Sequence, residues 1–364
     1  MRDFIPYVCK LAILLLASLG AAAQERSDGN GTVSGKVICA DTQKPARFAE
    51  VRLTPIRLGG SQGGLGRGAG QTTTMADGNF LMDNVGPGDY VVTARTPGYI
   101  DAESLLTLSP DHASFNAPSA RLSAFIASVR VVNGQASATT VTIYRGAVLA
   151  GTVSYDDGSP ALGVTVSALQ TEGTTREGSV AGNASSNDRG VFRIAGLSEG
   201  IYILQARPLG SSWIKPLPVY YGNTLLKAAA KRIGVKAGEE RNGLDLQISV
   251  VNLRQVSGTV QSAKDGHGIG HAYVSMTLTG GGEDAMNTMS LADGSFRFLN
   301  VPEGSFTLRA SGTPIPVRGS SSRDISSDAG TEPRNVEVGG SDVDGVVFNL
   351  PDVVANSADM GSKP

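Results

Sequence analysis

Along most of this chain apolar residues alternate with small polar ones in runs of five to nine, and glycine punctuates the runs. Val33-Ser34-Gly35-Lys36-Val37, Leu149-Ala150-Gly151-Thr152-Val153 and Val256-Ser257-Gly258-Thr259-Val260 are three such runs. A period of two predicts strands with one buried and one wet face. Phe80 and Met82, or Phe296 and Phe298, stand two apart and therefore share a face. Asp77-Gly78 and Asp293-Gly294 precede those runs and predict tight turns that need positive φ, with the carboxylate bonding backbone two residues on. Leu225 to Arg232 is an exception, with room for about two helical turns.

The runs recur as one sentence written three times. Around Phe80, Phe192 and Phe296, a glycine lies two before (Gly78, Gly190, Gly294), another eight after (Gly88, Gly200, Gly304), and an aromatic ten after (Tyr90, Tyr202, Phe306). The opening-strand glycines Gly35, Gly151 and Gly258 are 116 and 107 residues apart. The second copy has Arg189 where the others have Asp, so its turn is expected to use Asn187 and Asp188. Each copy is expected to end in a further strand pair: Val129–Val132 with Val141–Tyr144, Ile233–Val235 with Leu244–Ile248, and Val336–Val338 with Val346–Leu350. About seven strands per copy, with turn signals every 8–12 residues, predict an all-β protein of three tandem antiparallel β-sandwich domains. Their expected bounds are 30–146, 147–253 and 254–352, the second with an aromatic and Pro-rich insertion at 207–232, and a disordered tail at 353–364. Polar segments at Gly59–Gly70, Glu172–Asn187 and Gly280–Asn287 read as mobile loops.

Composition agrees with strands and tight turns: 47 glycines and 5% aromatics in 364 residues. Arg2 and Lys10, the apolar Leu11–Leu19 and the small residues Ala21-Ala22-Ala23 make residues 1–23 an expected signal peptide. The apolar run is too short to span a bilayer, so no transmembrane anchor is expected after cleavage. Cleavage before Gln24 removes Cys9 and leaves Cys39, which cannot form an internal bridge and is expected to be buried. A formal net charge of −2 offers no basic face for nucleic acid.

The pattern V-x-G-x-V, then A-x-V, then D-G-x-F-x-F/L-x-x-V/L-x-x-G-x-Y/F resembles the carboxypeptidase regulatory-like domain family. These are prealbumin-like (transthyretin-like) β-sandwich modules, and the likeness covers roughly residues 31–352 in three copies, as in exported bacterial proteins. The resemblance implies modules without peptidase chemistry, which serve folding, spacing or binding. Sugar binding is available by analogy with related starch-binding-like sandwiches.

Candidate chemistry is sparse. Gly59-Gly60-Ser61-Gln62-Gly63 fits G-x-S-x-G but lacks the strand and helix of a nucleophile elbow. His267 and His271 are four apart among glycines, which forbids a helix, and read as a solvated hairpin before a weak metal pair. His112 lies in a Pro- and Ser-bordered loop. Asp342 and Asp344 read as turn residues, short of the ligands calcium wants. A Lys–Asn cross-link is not expected: the strand that closes Lys36's copy has no Asn, and Asn349 faces a strand without Lys.

Trp213, Tyr220 and Tyr221 are the candidate contact residues, either stacking on a sugar or partner or capping the second sandwich. The expectation is therefore a non-catalytic exported scaffold or interaction protein, periplasmic or extracellular, with no cofactor and no metal. Its expected partner is an envelope protein or polysaccharide, and the alternative is a carbohydrate-binding protein.

Overall fold

The computed structural model describes residues 30–56, 70–103, 105, 125–173, 178–208, 216–281, 284–312 and 331–350. The leader 1–23, Gly59–Gly63, His112, Trp213 and the tail 353–364 lie outside the described residues. Contacts divide the chain into two compact units. The first ends at Ile143; the second begins at Tyr144 and also takes in Pro97–Ile100.

The first unit contains β1 (Gly31–Cys39), β2 (Glu50–Pro55), β3 (Gly70–Thr73), β4 (Asn79–Val85), β5 (Gly88–Arg95), β6 (Ala127–Val131) and β7 (Ala136–Ile143). They form two sheets, ordered β4-β1-β7 and β3-β2-β5-β6. Apolar positions of both sheets, among them Val33, Val37, Val51, Leu53, Phe80 and Val92, are buried.

The second unit repeats this strand order twice. Its first sandwich has β8 (Ala147–Tyr155), β9 (Thr165–Gly173), β10 (Val180–Ser185), β11 (Val191–Leu197), β12 (Gly200–Arg207), β13 (Val219–Tyr220), β14 (Ile233–Val235), β15 (Glu240–Arg241) and β16 (Leu246–Ile248). β8 sits between β11 and the short β15 and β16, while β12 sits between β9 and the short β13 and β14. The next sandwich has β17 (Arg254–Ser262), β18 (Tyr273–Leu278), β19 (Ala285–Met289), β20 (Ser295–Val301), β21 (Gly304–Ser311), β22 (Arg334–Val338) and β23 (Val343–Leu350). Its sheets are ordered β20-β17-β23 and β19-β18-β21-β22. The all-β sandwich class is thus seen directly, with seven, nine and seven strands among the described residues.

Three expectations change. The closing strands do not pair with each other: one joins each sheet, and β7, β15, β16 and β23 run parallel to the opening strand. Two of the segments read as loops hold edge-strand residues, β10 within 172–187 and the start of β19 within 280–287, because the neighbouring strand supplies the backbone partners that polar side chains do not; of Gly59–Gly70 only Gly70, the first residue of the edge strand β3, is among the described residues. Leu225–Arg232 forms a single 3₁₀ turn at Lys227–Ala229, without a side-chain cap and without a buried residue.

The parallel closing strand explains the opening glycines. Gly35, Gly151 and Gly258 stand opposite Phe80, Phe192 and Phe296 in the ladder. A Cβ at Gly258 would lie 2.0 Å from the Val346 carbonyl oxygen and 2.6 Å from the Phe296 ring; at Gly35 the distances are 2.2 Å to Thr139 O and 2.6 Å to Phe80. At Gly151 the intruding atom is the Leu244 carbonyl oxygen, 2.3 Å away. At Gly35 and Gly258 no residue but glycine fits between aromatic ring and closing strand, and at Gly151 none fits against the Leu244 backbone, between β15 and β16.

Candidate functional site

The repeated residues serve the turns and the ladder of each sandwich. In the first turn, Asp77 Oδ1 accepts from Asn79 N–H and Asp293 Oδ1 from Ser295 N–H, at 3.0 and 2.9 Å. Those donors hold both carboxyls below the usual aspartate range: chiefly the Asn79 amide for Asp77, and the Ser295 hydroxyl followed by its amide for Asp293. Asn187 does the same work in the second copy, accepting from Arg189 and Val191 N–H. Gly78, Gly190 and Gly294 have φ of 79°, 72° and 81°, and their carbonyls accept from Val37, Val153 and Val260 N–H. Tyr90 and Tyr202 donate their hydroxyls to Gly86 O and Ser198 O, four residues back.

Two further repeat positions escaped the sequence reading. Six residues before each Phe stands a buried hydroxyl, Thr74, Ser186 or Ser290. Each accepts a backbone N–H (Ala49, Val164, Ala272) and donates to a carbonyl three residues before that amide (Ala46, Ala161, Ile269). The constant spacing was a signal, obscured by the Thr/Ser exchange. Four residues after each Phe comes Asn84, Gly196 or Asn300, with φ of 61°, 83° and 57°. There the register with the opening strand slips, which marks a β-bulge.

What is not repeated is the insertion after β12. Tyr220, on β13, is 1% exposed, and its hydroxyl donates to Asp284 Oδ2 at 2.5 Å while accepting from Gln205 Nε2 at 2.9 Å. Arg207 Nη2 reaches the other oxygen of Asp284 at 2.8 Å. Asp284 directly precedes β19, so two side chains of one sandwich, Tyr220 and Arg207, hold one carboxylate of the next, with Gln205 bonded to the Tyr220 hydroxyl. Burial, and then the Asp284 carboxylate, push the Tyr220 phenol well above its ordinary value. It is a proton donor locked in its neutral form.

Leu217, from the same insertion, lies in the core of the last sandwich, and Leu225 packs against both cores. Beside them opens a cavity of about 510 Å³, lined by Tyr155, Leu217, Leu225, Ile248 and Val250 with Asn223, Asn252 and Asn300. Those three asparagines all have positive φ. Asp156 accepts from Val250 and Val251 N–H and so ties the connecting segment 249–253 to β8. Of the predicted contact residues, Tyr220 is thus a packed hydrogen-bonding group and Tyr221 is half-buried against the second core.

Comparison with protein-family models finds no match, and comparison with curated proteins finds none. Among solved structures the chain is similar to the Bacillus anthracis TIE protein, at 12% identity and TM-score 0.22 over 89% of this chain and 51% of that one. It spans about half the length of that protein. It is also similar to a streptococcal ancillary pilin (12% identity, TM-score 0.29, 88% of this chain and 99% of the other). The minor pilin of Streptococcus agalactiae gives 12% identity and TM-score 0.28 over 60% and 94%. At such scores nothing about this chain's function follows from these likenesses.

The remaining candidates are occupied by local bonds. His267 Nδ1 pairs with Asp265 of its own turn, and His271 stands exposed with φ of 61°. Asp342 accepts from Gln255 N–H and Asp344 from the Ser257 hydroxyl, which fastens the closing segment to β17. Asn349 bonds Gln261, and Lys36 lies opposite Thr140. Cys39 is buried and free. Among the described residues no three His, Cys, Asp or Glu side chains group as metal ligands, and no helix is long and apolar enough to cross a membrane.

Proposed function

We propose that the chain is a non-catalytic, exported scaffold and interaction protein of the bacterial envelope, built from three carboxypeptidase regulatory-like modules at 30–146, 147–253 and 254–352. The fate of the repeated letters carries this reading. Each invariant Gly, Phe, aromatic and hydroxyl position is spent on a turn, a close approach or a buried backbone bond, and none converges on a cleft. The one elaboration, at 207–232, joins two sandwiches through Arg207, Tyr220 and Asp284, as suits a protein that must hold a spacing. The leader 1–23 supports export to the periplasm or beyond. N-terminal sequencing of the chain from fractionated cells is expected to begin at Gln24, and cross-linking in intact cells to trap an envelope partner. Turnover of a peptide or ureide that one substitution abolishes would overturn the non-enzymatic reading.

The cavity favours carbohydrate binding as the second reading. Among the described residues its lining offers amides (Asn223, Gln247, Asn252, Asn300), the carboxylates Asp156 and Glu303, a tyrosine and apolar walls, and no Lys or Arg. That chemistry suits a neutral polyhydroxyl ligand. Quenching of the fluorescence of Trp213, the single tryptophan, by a polysaccharide supports it; silence across a glycan array with a protein cross-linked instead supports the scaffold.

A further inference from the structure

Asparagine followed by glycine is chemically labile, because glycine has no side chain to keep its amide nitrogen from the neighbouring carboxamide. The chain has three such pairs, Asn30-Gly31, Asn133-Gly134 and Asn242-Gly243, and the fold treats them unequally. The first two are restrained within the first sandwich. Asn30 donates its carboxamide to Asn84 Oδ1 at 2.7 Å. A Cβ at Gly31 would lie 2.7 Å from both the Val131 side chain and the Val132 carbonyl oxygen, so the backbone there is hemmed in. The Gly134 N–H donates to Asn30 O at 3.3 Å, which occupies the nitrogen that would attack Asn133.

Asn242-Gly243 has neither restraint. It lies between β15 and β16, both residues are exposed, and a Cβ at Gly243 would meet nothing within 4 Å. Gly243 has φ of 73°, and among the described residues no hydrogen bond engages its N–H or the Asn242 carboxamide. The next residue, by contrast, is held: Leu244 is buried and its N–H donates to Ala150 O at 3.2 Å. The third sandwich shows what this place tolerates. There Asp344-Gly345, with Gly345 at φ of 78°, precedes the Val346 carbonyl that faces Gly258, just as Asn242-Gly243 precedes the Leu244 carbonyl that faces Gly151. A carboxylate at this irregularity of the closing strand is therefore compatible with the sandwich, and Asp344 accepts there from the Ser257 hydroxyl.

We infer that Asn242 is a site of spontaneous covalent modification, at which the folded chain converts slowly to aspartate and isoaspartate. The Gly243 nitrogen attacks Asn242 Cγ. An N–Cγ bond forms, the Cγ–Nδ2 bond breaks, and the Gly243 amide proton leaves with Nδ2 as ammonia. Water then opens the succinimide at either of its two carbonyls. One opening restores the ordinary main chain with aspartate at 242; the other routes the main chain through Cβ and Cγ. Both products add one negative charge, and isoaspartate also adds one main-chain atom between β15 and β16. Those strands pair with β8 at Val148–Leu149 and at Val153–Tyr155, so the added atom falls where the parallel register has to be kept.

Incubation of the full chain in mildly alkaline buffer, followed by peptide mapping, tests this. The Asn242 peptide is expected to gain about one dalton and to split into aspartate and isoaspartate forms. It is expected to do so at least about five-fold faster than the Asn30 and Asn133 peptides, which must first give up a hydrogen bond. In denaturant the three peptides are expected to react at similar rates, because the difference belongs to the fold. Asn242→Gln is expected to remove the fast phase of the gain in intact mass while Tm is kept, and Asn242→Ser replaces it should the glutamine variant fold poorly. An Asn242 peptide that reacts no faster than the other two, a preference that survives in denaturant, or a fast phase that persists in the variant overturns the inference. None of these outcomes bears on export or on the scaffold reading, which the N-terminal sequencing and cell cross-linking test separately.

Discussion

At the scale of single residues, this chain spends its glycines and hydroxyls on backbone problems that side-chain packing cannot solve. Gly258→Ala drives a methyl to 2.0 Å from a carbonyl oxygen flanked by a buried ring, so destabilisation of about 2–3 kcal/mol or more is expected in denaturant titration. Gly339→Ala, with nothing within 4 Å, is expected to be near neutral. Ser290→Ala strands the Ala272 N–H and the Ile269 carbonyl inside the sandwich, for a loss of about 2 kcal/mol by the same measurement. Ser290→Thr is expected to be tolerated, because Thr74 performs that role in the first copy. Asp77 and Asp293 hold their protons less tightly when folded than their ordinary 3.8, so their contribution is full above that pH and fades below it. A fall in Tm as pH drops below about 4 is the expected reading.

Between elements, the decisive contact is the one that Tyr220 and Arg207 make with Asp284. Tyr220→Phe removes one charge-assisted hydrogen bond and leaves Gln205 and Asp284 each short of a partner, so a loss of about 2 kcal/mol is expected. In calorimetry the loss should fall on the transition of the second unit and spare the first. Folding raises the Tyr220 pKa above 10, so the folded state binds the proton more tightly. Stability from this group is whole below pH 10 and declines as pH rises past it, a slope that Tyr220→Phe is expected to flatten. Edge strands teach a related lesson. Val180–Ser185 and Ala285–Met289 carry no clear strand alternation, and they are strands because β9 and β18 offer them backbone partners.

For the molecule as a whole, the proposed scaffold of repeats, with no metal-ligand cluster among the described residues, predicts an intact mass unaltered by any internal cross-link. Loss of about 17 Da, the ammonia expelled by a Lys–Asn amide, would contradict the pairing of Lys36 with Thr140 and of Asn349 with Gln261. The repeat, the sandwich class, the Asp-Gly turns and the buried phenylalanines were all legible in the chain, because turn chemistry and period-two alternation are local properties. Even the substitute turn at Asn187 was visible from its neighbours. Other features depend on residues far apart in sequence. The parallel seating of the closing strand, which makes Gly35, Gly151 and Gly258 indispensable, joins residues about ninety to one hundred apart. Likewise Tyr220 reads as an aromatic that either contacts a ligand or caps the second sandwich, and its hydroxyl has no named partner until Asp284, 64 residues on, is brought to it. Local pattern settled which bricks the chain makes. Only the folded arrangement decided which polar atoms meet, because a buried hydroxyl or carboxylate takes its role from partners that sequence proximity does not supply.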